Sequence, residues 1–150
     1  MYKRQANWQT NGVATVFNNG DTVTFDNTGS NNVPVSIPAT VQPALVFVTN
    51  STTKSYTFSG GGLISGTNLL AKTGAGVLTL SVTNAYTGGT LVSNGMLTFS
   101  IAVAIPASGK LSLYNTGAVT VVTANSLPNV YVNGSNAITG NGNSGTGRCV

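Results

Sequence analysis

LLAKTGAGVLTLSVTNAYTGGTLVSNGMLTFS, residues 69–100, decides how this chain folds. Val77-Leu78-Thr79-Leu80 and Met96-Leu97-Thr98-Phe99 place apolar and hydroxyl side chains alternately, the period-2 signature of half-buried strands. Gly74, Gly76, Gly88, Gly89 and Gly95 fall between the strands, where a sharp turn needs positive φ or close backbone approach. The segment holds one charged side chain, Lys72. Short strands, regular corners and an abundance of Thr, Asn and Gly predict one coil of a β-solenoid.

These residues also carry a resemblance. Leu70, Lys72, Gly74, Gly76, Leu78 and Leu80, then Asn84, Tyr86, Gly88 and Thr90, then Gly95 and Leu97, follow a known pattern. In that order they resemble the autotransporter-associated β-strand repeat, also called the passenger-associated transport repeat. Residues 18–30 and 56–66 resemble the spacer that leads into such repeats in long bacterial surface proteins. The resemblance implies a right-handed parallel β-helix within a secreted passenger region, with coils that assist export by folding outside the membrane.

Composition bounds the reading on its own. Only 5% of the 150 residues are charged, against roughly 25% in ordinary globular domains. Yet 41% are hydrophobic and the mean hydropathy is +0.19, which argues against disorder. The length fits one domain or a piece of a larger one. The net charge is +4, but Lys3, Arg4, Lys54, Lys72, Lys110 and Arg148 are scattered and never cluster with aromatics. They read as isolated, solvated charges, and no nucleic-acid partner is expected. Cys149 is the sole cysteine and the chain has no histidine, so no internal disulfide and no thiol-based metal site can form. A minor alternative for Cys149 is an intermolecular disulfide.

No signal peptide follows Lys3-Arg4, and no apolar run approaches the roughly 20 residues of a spanning helix. Runs of about five residues and sparse aromatics also speak against a membrane barrel. Strands are expected at 13–17, 22–26, 33–37, 44–48, 55–59, 69–72, 77–81, 90–93, 96–100, 110–114, 118–123, 129–133 and 137–139. Two or three per coil of roughly 20–25 residues give an all-β parallel β-helix of about six or seven coils. Val23, Phe25, Val46, Val48, Phe58, Leu78, Leu80, Leu97, Phe99, Leu111, Leu113, Val119, Val121, Val130 and Val132 should line its interior. Residues 1–139 form the solenoid segment, Trp8 its N-terminal cover, and residues 140–150 a flexible tail. The whole reads as a fragment of a longer protein.

Chemistry has few residues to work with. Sugar hydrolysis generally uses two carboxylates, and the chain offers only Asp21 and Asp26, with no His or Glu as partner. Both read as turn acceptors in preference to a weak Ca²⁺ site with Asn19 and Asn27. No catalytic, cofactor-binding or metal residue is assigned, and no cofactor. Asn84, Asn94, Asn115 and Asn125 fall at corners, as left-handed residues or as hydrogen-bonded ladders. Asn50-Ser51-Thr52 and Asn133-Gly134-Ser135 match the glycosylation pattern, as chance allows in such a chain. Trp8, Tyr86 and Tyr131 are candidates for carbohydrate contact, though packing is the simpler role. Threonine arrays on flat solenoid faces suit an ice-binding surface, but Thr22 and Thr24 form the one Thr-x-Thr pair noted on a strand, so no such array is expected.

The resulting expectation is a structural and adhesive stalk segment on a bacterial surface. Gly74, Gly76, Gly88, Gly89 and Gly95 are its corners and Leu78, Leu80 and Leu97 its core. Its partner would be a surface ligand, protein or glycan, with edge-to-edge self-association as an addition and no membrane insertion. The alternatives are a self-assembling filament subunit and a carbohydrate-active β-helix enzyme.

Overall fold

The computed structural model describes residues 8–10, 13–29, 34–122, 130–134 and 137–140. A short antiparallel pair opens the chain, β1 (Trp8–Thr10) with β2 (Val13–Thr15). From there successive strands alternate between two six-stranded sheets. The first holds, in spatial order, β3 (Thr22–Phe25), β5 (Leu45–Val48), β7 (Leu69–Lys72), β9 (Thr90–Val92), β11 (Leu111–Asn115) and β13 (Val130–Gly134). The second holds β4 (Val35–Ser36), β6 (Tyr56–Ile64), β8 (Val77–Asn84), β10 (Met96–Phe99), β12 (Ala118–Val121) and β14 (Ala137–Gly140). Neighbours in both sheets are parallel.

Parallel neighbours cannot be joined by a tight hairpin; they need a crossover. Here each crossover is the strand of the opposite sheet, so the chain winds. Two strands make a coil, and the six rungs span about five turns of a β-solenoid, the fold expected from the sequence. Val46 lies beside Leu70, Leu70 beside Thr90, Thr90 beside Leu111 and Leu111 beside Val130. Those steps are 24, 20, 21 and 19 residues, yet the strands stay in register because the corners absorb the difference.

Alternation sets the core. In β8 the inward residues Leu78, Leu80 and Val82 have no exposed surface, while Val77, Thr79 and Ser81 are half-buried outside. Leu70, Leu97, Phe99, Leu111, Leu113, Val119 and Val121 continue the filling. Each fully buried side chain of this size contributes roughly 1.5–3 kcal/mol. Phe25 packs on Phe58 at 4.7 Å and edge-on to Tyr56 at 5.3 Å between ring centroids. Of the expected interior residues, Val23, Val130 and Val132 stand half-buried near the two ends. Beside Val23 the core opens into a cavity of about 220 Å³ bounded by Phe17, Val35, Val41 and Phe58.

Two expectations need correction. Lys54 and Lys72 are not solvated; they are 4% and 0% exposed, because both sit in the inward-facing series of their coils. Tyr86, for which packing was the simpler role, is wholly enclosed. Lastly, a threonine array exists. Thr57, Thr79, Thr98, Thr120 and Thr139 stand side by side across β6, β8, β10, β12 and β14. The file runs across strands, not along one, so only the register reveals it. The side chain of Trp8, the tail beyond Gly140, Asn125 and Cys149 lie outside the described residues; Gly140 itself ends β14.

Candidate functional site

The corner between β7 and β8 concentrates the unusual chemistry of the chain. Leu70 and Lys72 are successive inward positions on β7. The strand ends at Lys72, and its side chain runs on into the corner instead of the apolar centre. There its Nζ donates to the Gly74 carbonyl of the same corner and to the Asn94 carbonyl of the next coil, at 3.4 Å. Lys54 acts one coil earlier and in the opposite direction. Its Nζ donates back to the Asn27 carbonyl at 3.4 Å and to that of Gly29, and it lies 5.7 Å from the Tyr56 ring centroid.

Burial disfavours the ammonium form and pulls Lys72 down to about 8. The same burial pushes the Tyr86 hydroxyl up, its hydrogen bond to Thr90 opposing only in part. That bond, 2.8 Å between Tyr86 Oη and Thr90 Oγ1, links two enclosed hydroxyls across a corner.

The glycines mark where backbone rests on backbone. A Cβ on Gly74 or Gly76 would enter the main chain of residues 49–51 one coil below. Gly95 combines φ of +68° with the Gly76 carbonyl directly beneath it. Gly88 rests on the Thr67 and Asn68 carbonyls, and Gly89 lies where a Cβ would come within 2.8 Å of the Lys110 carbonyl. All five sequence-selected glycines are therefore corner residues, and Leu78, Leu80 and Leu97 are fully enclosed.

Asparagines tie the coils together. Asn50 Nδ2 donates to the Lys54 and Val77 carbonyls at 2.5 and 3.0 Å. Asn84 Nδ2 donates to the Ala104 carbonyl at 2.6 Å, in the 3₁₀ turn Ala102–Ala104. Asn94 Oδ1 accepts from the Thr116 hydroxyl at 2.9 Å. Of the corner asparagines described, Asn115 is the one in the left-handed region, at φ +48°. Asn50 Oδ1, Asn84 Oδ1 and both amide atoms of Asn68 are enclosed without a protein partner among the described residues.

Asp21 and Asp26 do not meet. They flank β3 at its opposite ends, about 16 Å apart along an extended chain. Asp21 Oδ2 accepts the Asn18 N–H at 2.8 Å, and Asp26 Oδ1 accepts the Thr28 N–H at 2.8 Å and hydroxyl at 2.6 Å. The hydrogen bonds from Thr28 hold the Asp26 carboxyl below its usual range. Asn19 Oδ1 and Asn27 Oδ1 accept the backbone N–H of Gln42 and Ser51 in the next coil. Among the described residues no three His, Cys, Asp or Glu side chains converge. Tyr131 packs near Tyr114 at 5.9 Å, with the Lys110 ammonium 4.2 Å from its ring centroid.

Sequence reasoning missed Lys54, Asn50 and Asn68 as corner residues, and it misplaced Lys72. One signal was available for the last: Leu70-x-Lys72 is the alternation that already placed Leu78 and Leu80 inside.

No curated protein and no solved structure matches the chain. Residues 70–99, which run from β7 to β10 and carry Lys72, Tyr86, the glycine corners and the enclosed leucines, match the passenger-associated-transport-repeat, in agreement with the resemblance drawn from the sequence.

Proposed function

We propose that this chain is a structural and adhesive stalk segment of an autotransporter-type passenger, displayed on a bacterial surface. The observation that carries the reading is the coincidence of the repeat at residues 70–99 with an in-register run of parallel rungs on both sides of it. In such a column each coil rests on the last, so folding can propagate rung by rung as chain emerges. The enclosed core and continuous backbone hydrogen bonding resist proteolysis and give stiffness. Shape, not a reaction, is the output. Asp21 and Asp26 support this reading, since both are committed to their own turns.

The test places the chain between an export signal and a membrane-anchoring barrel in a Gram-negative host. Surface exposure is then read by antibody on intact cells. Wild type should be displayed and protease-resistant, whereas Leu80→Asp, which puts a carboxylate into the core, should be retained and degraded. Equal display of both would overturn the export part. Failure of the displayed wild type to raise cell attachment to any host surface or glycan array would overturn the adhesive part.

A self-assembling filament subunit is the second reading. It is favoured by the outer edges of β3 and β13, which no strand pairs among the described residues. Concentration-dependent fibres, as against monodisperse rods, distinguish it.

A further inference from the structure

We propose that the outer face of the second sheet, built on the file Thr57, Thr79, Thr98, Thr120 and Thr139, is an ice-binding surface. Parallel register repeats these threonines once per rung, at about 4.8 Å. Ser36, Ser59 and Ser81 stand beside it in the same register, but the Ser81 and Ser100 hydroxyls hydrogen-bond to each other at 2.5 Å and Ser100 Oγ donates to the Leu80 carbonyl at 3.0 Å, so the serines do not keep the rung spacing. The regular element is therefore the row of threonines, one per rung.

Such a row suits a partner that is itself periodic, and liquid water has no fixed rows to meet it. Ice presents rows of oxygen atoms whose repeat along the row is close to the rung spacing. Three further observations favour it. The threonines are preorganised, because a β-branched side chain is stiff at χ1 and Thr57, Thr79, Thr98 and Thr120 are half-buried. The hydroxyls of Thr57, Thr79 and Thr98 spend no hydrogen bond on the protein among the described residues, while Thr120 Oγ1 reaches only the Met96 sulfur at 3.8 Å. Finally, the face is uncharged. The described charged residues lie elsewhere: Asp21 and Asp26 flank β3, Lys54 and Lys72 are enclosed, and Lys110 stands over Tyr131 beyond the first sheet. A charged group would hold its own hydration shell and break the match with a neutral lattice. Val77, Met96 and Ala118, the outward neighbours of the threonines, include no aromatic ring on which a sugar could stack.

The experiment uses the whole 150-residue chain in thermal-hysteresis and ice-recrystallisation assays, with sedimentation as a parallel measurement. Wild type should shape ice crystals and arrest recrystallisation. Thr79→Lys and Thr98→Lys should lose both effects with an unchanged β-sheet spectrum. Thr22→Lys and Thr24→Lys, on the first sheet, should keep them. Should Thr98→Lys fail to fold, Thr120→Lys nearer the end of the file carries the same comparison. Folded wild type without effect on ice, or equal loss in the first-sheet variants, overturns the proposal. So does self-association or retention on insoluble glucan that the Thr79 and Thr98 variants abolish while ice is ignored; the face would then be a protein or polysaccharide interface.

Discussion

The ammonium of Lys72 donates to the carbonyl of Asn94, twenty-two residues ahead and one coil up, so a single charge belongs to two turns of the solenoid. The group sits in an enclosed corner whose partners are carbonyl oxygens. Its protonation is consequently linked to whether the two coils stay together.

Stability should therefore depend on pH in the alkaline range. An unfolded lysine titrates near 10.4, and burial brings Lys72 to about 8. Between those values the unfolded chain holds the proton more tightly, so proton binding favours unfolding and stability rises with pH. Above about pH 10 the sign reverses. Burial raises the Tyr86 and Tyr56 hydroxyls, so there the folded state holds the extra protons and stability declines. Denaturant midpoints across pH 7–11 should show a maximum between those limits. Lys72→Met should remove the rising limb and leave the decline. A flat profile for wild type from pH 8 to 10 contradicts this account of Lys72.

Gly95→Ala should destabilise by at least about 1–2 kcal/mol from the left-handed backbone alone, with the Gly76 carbonyl adding to it. Gly61, whose Cβ would meet open space, provides the contrast. Gly61→Ala should be neutral or stabilising by about 0.4–1 kcal/mol through the unfolded chain. Thermal melts of the two variants check the difference, and equal losses would mean the corner is not tight.

Tyr86→Phe leaves the enclosed Thr90 hydroxyl unpaired and should cost about 1–3 kcal/mol. Thr90→Val leaves the Tyr86 hydroxyl in the same position. The double variant Tyr86→Phe, Thr90→Val removes both groups and should recover most of either loss. Additive losses in the cycle would show that the two hydroxyls do not depend on each other.

Leu80→Ala opens a void in a fully enclosed site and should cost about 2–5 kcal/mol. Limited proteolysis should then cut first near β8, since each coil leans only on its neighbours. Uniform digestion along the chain would indicate that the rungs unfold as one unit.

Most strands were legible because the alternation at Leu78, Leu80, Leu97, Leu111 and Leu113 is local, and local patterns survive without knowledge of what lies opposite. The coil count was read only approximately, six or seven expected against about five turns, since the residues before β3 form an antiparallel pair and add no rung. β1 and its antiparallel pairing were missed, since WQT carries little apolar alternation, whereas β2 falls within the strand expected at 13–17. What escaped otherwise depends on contact between coils. Lys72 reads as a surface charge until the carbonyls of Gly74 and Asn94 surround it. Thr57 and Thr79 are twenty-two residues apart and form a pair only through register. The corner glycines were found for the two reasons expected: Gly95 needs its positive φ, and Gly74 and Gly76 lie where backbone approaches closely.

Leu70 and Thr90 occupy the same step on consecutive rungs, which has a consequence for the gene. Excising the codons for residues 70–89 would join Leu69 to Thr90, shortening the column by one storey while every remaining side chain kept its bearing. Duplication of the same stretch would lengthen it equally cleanly. Unequal recombination can thus tune the height of this protein while its register is kept.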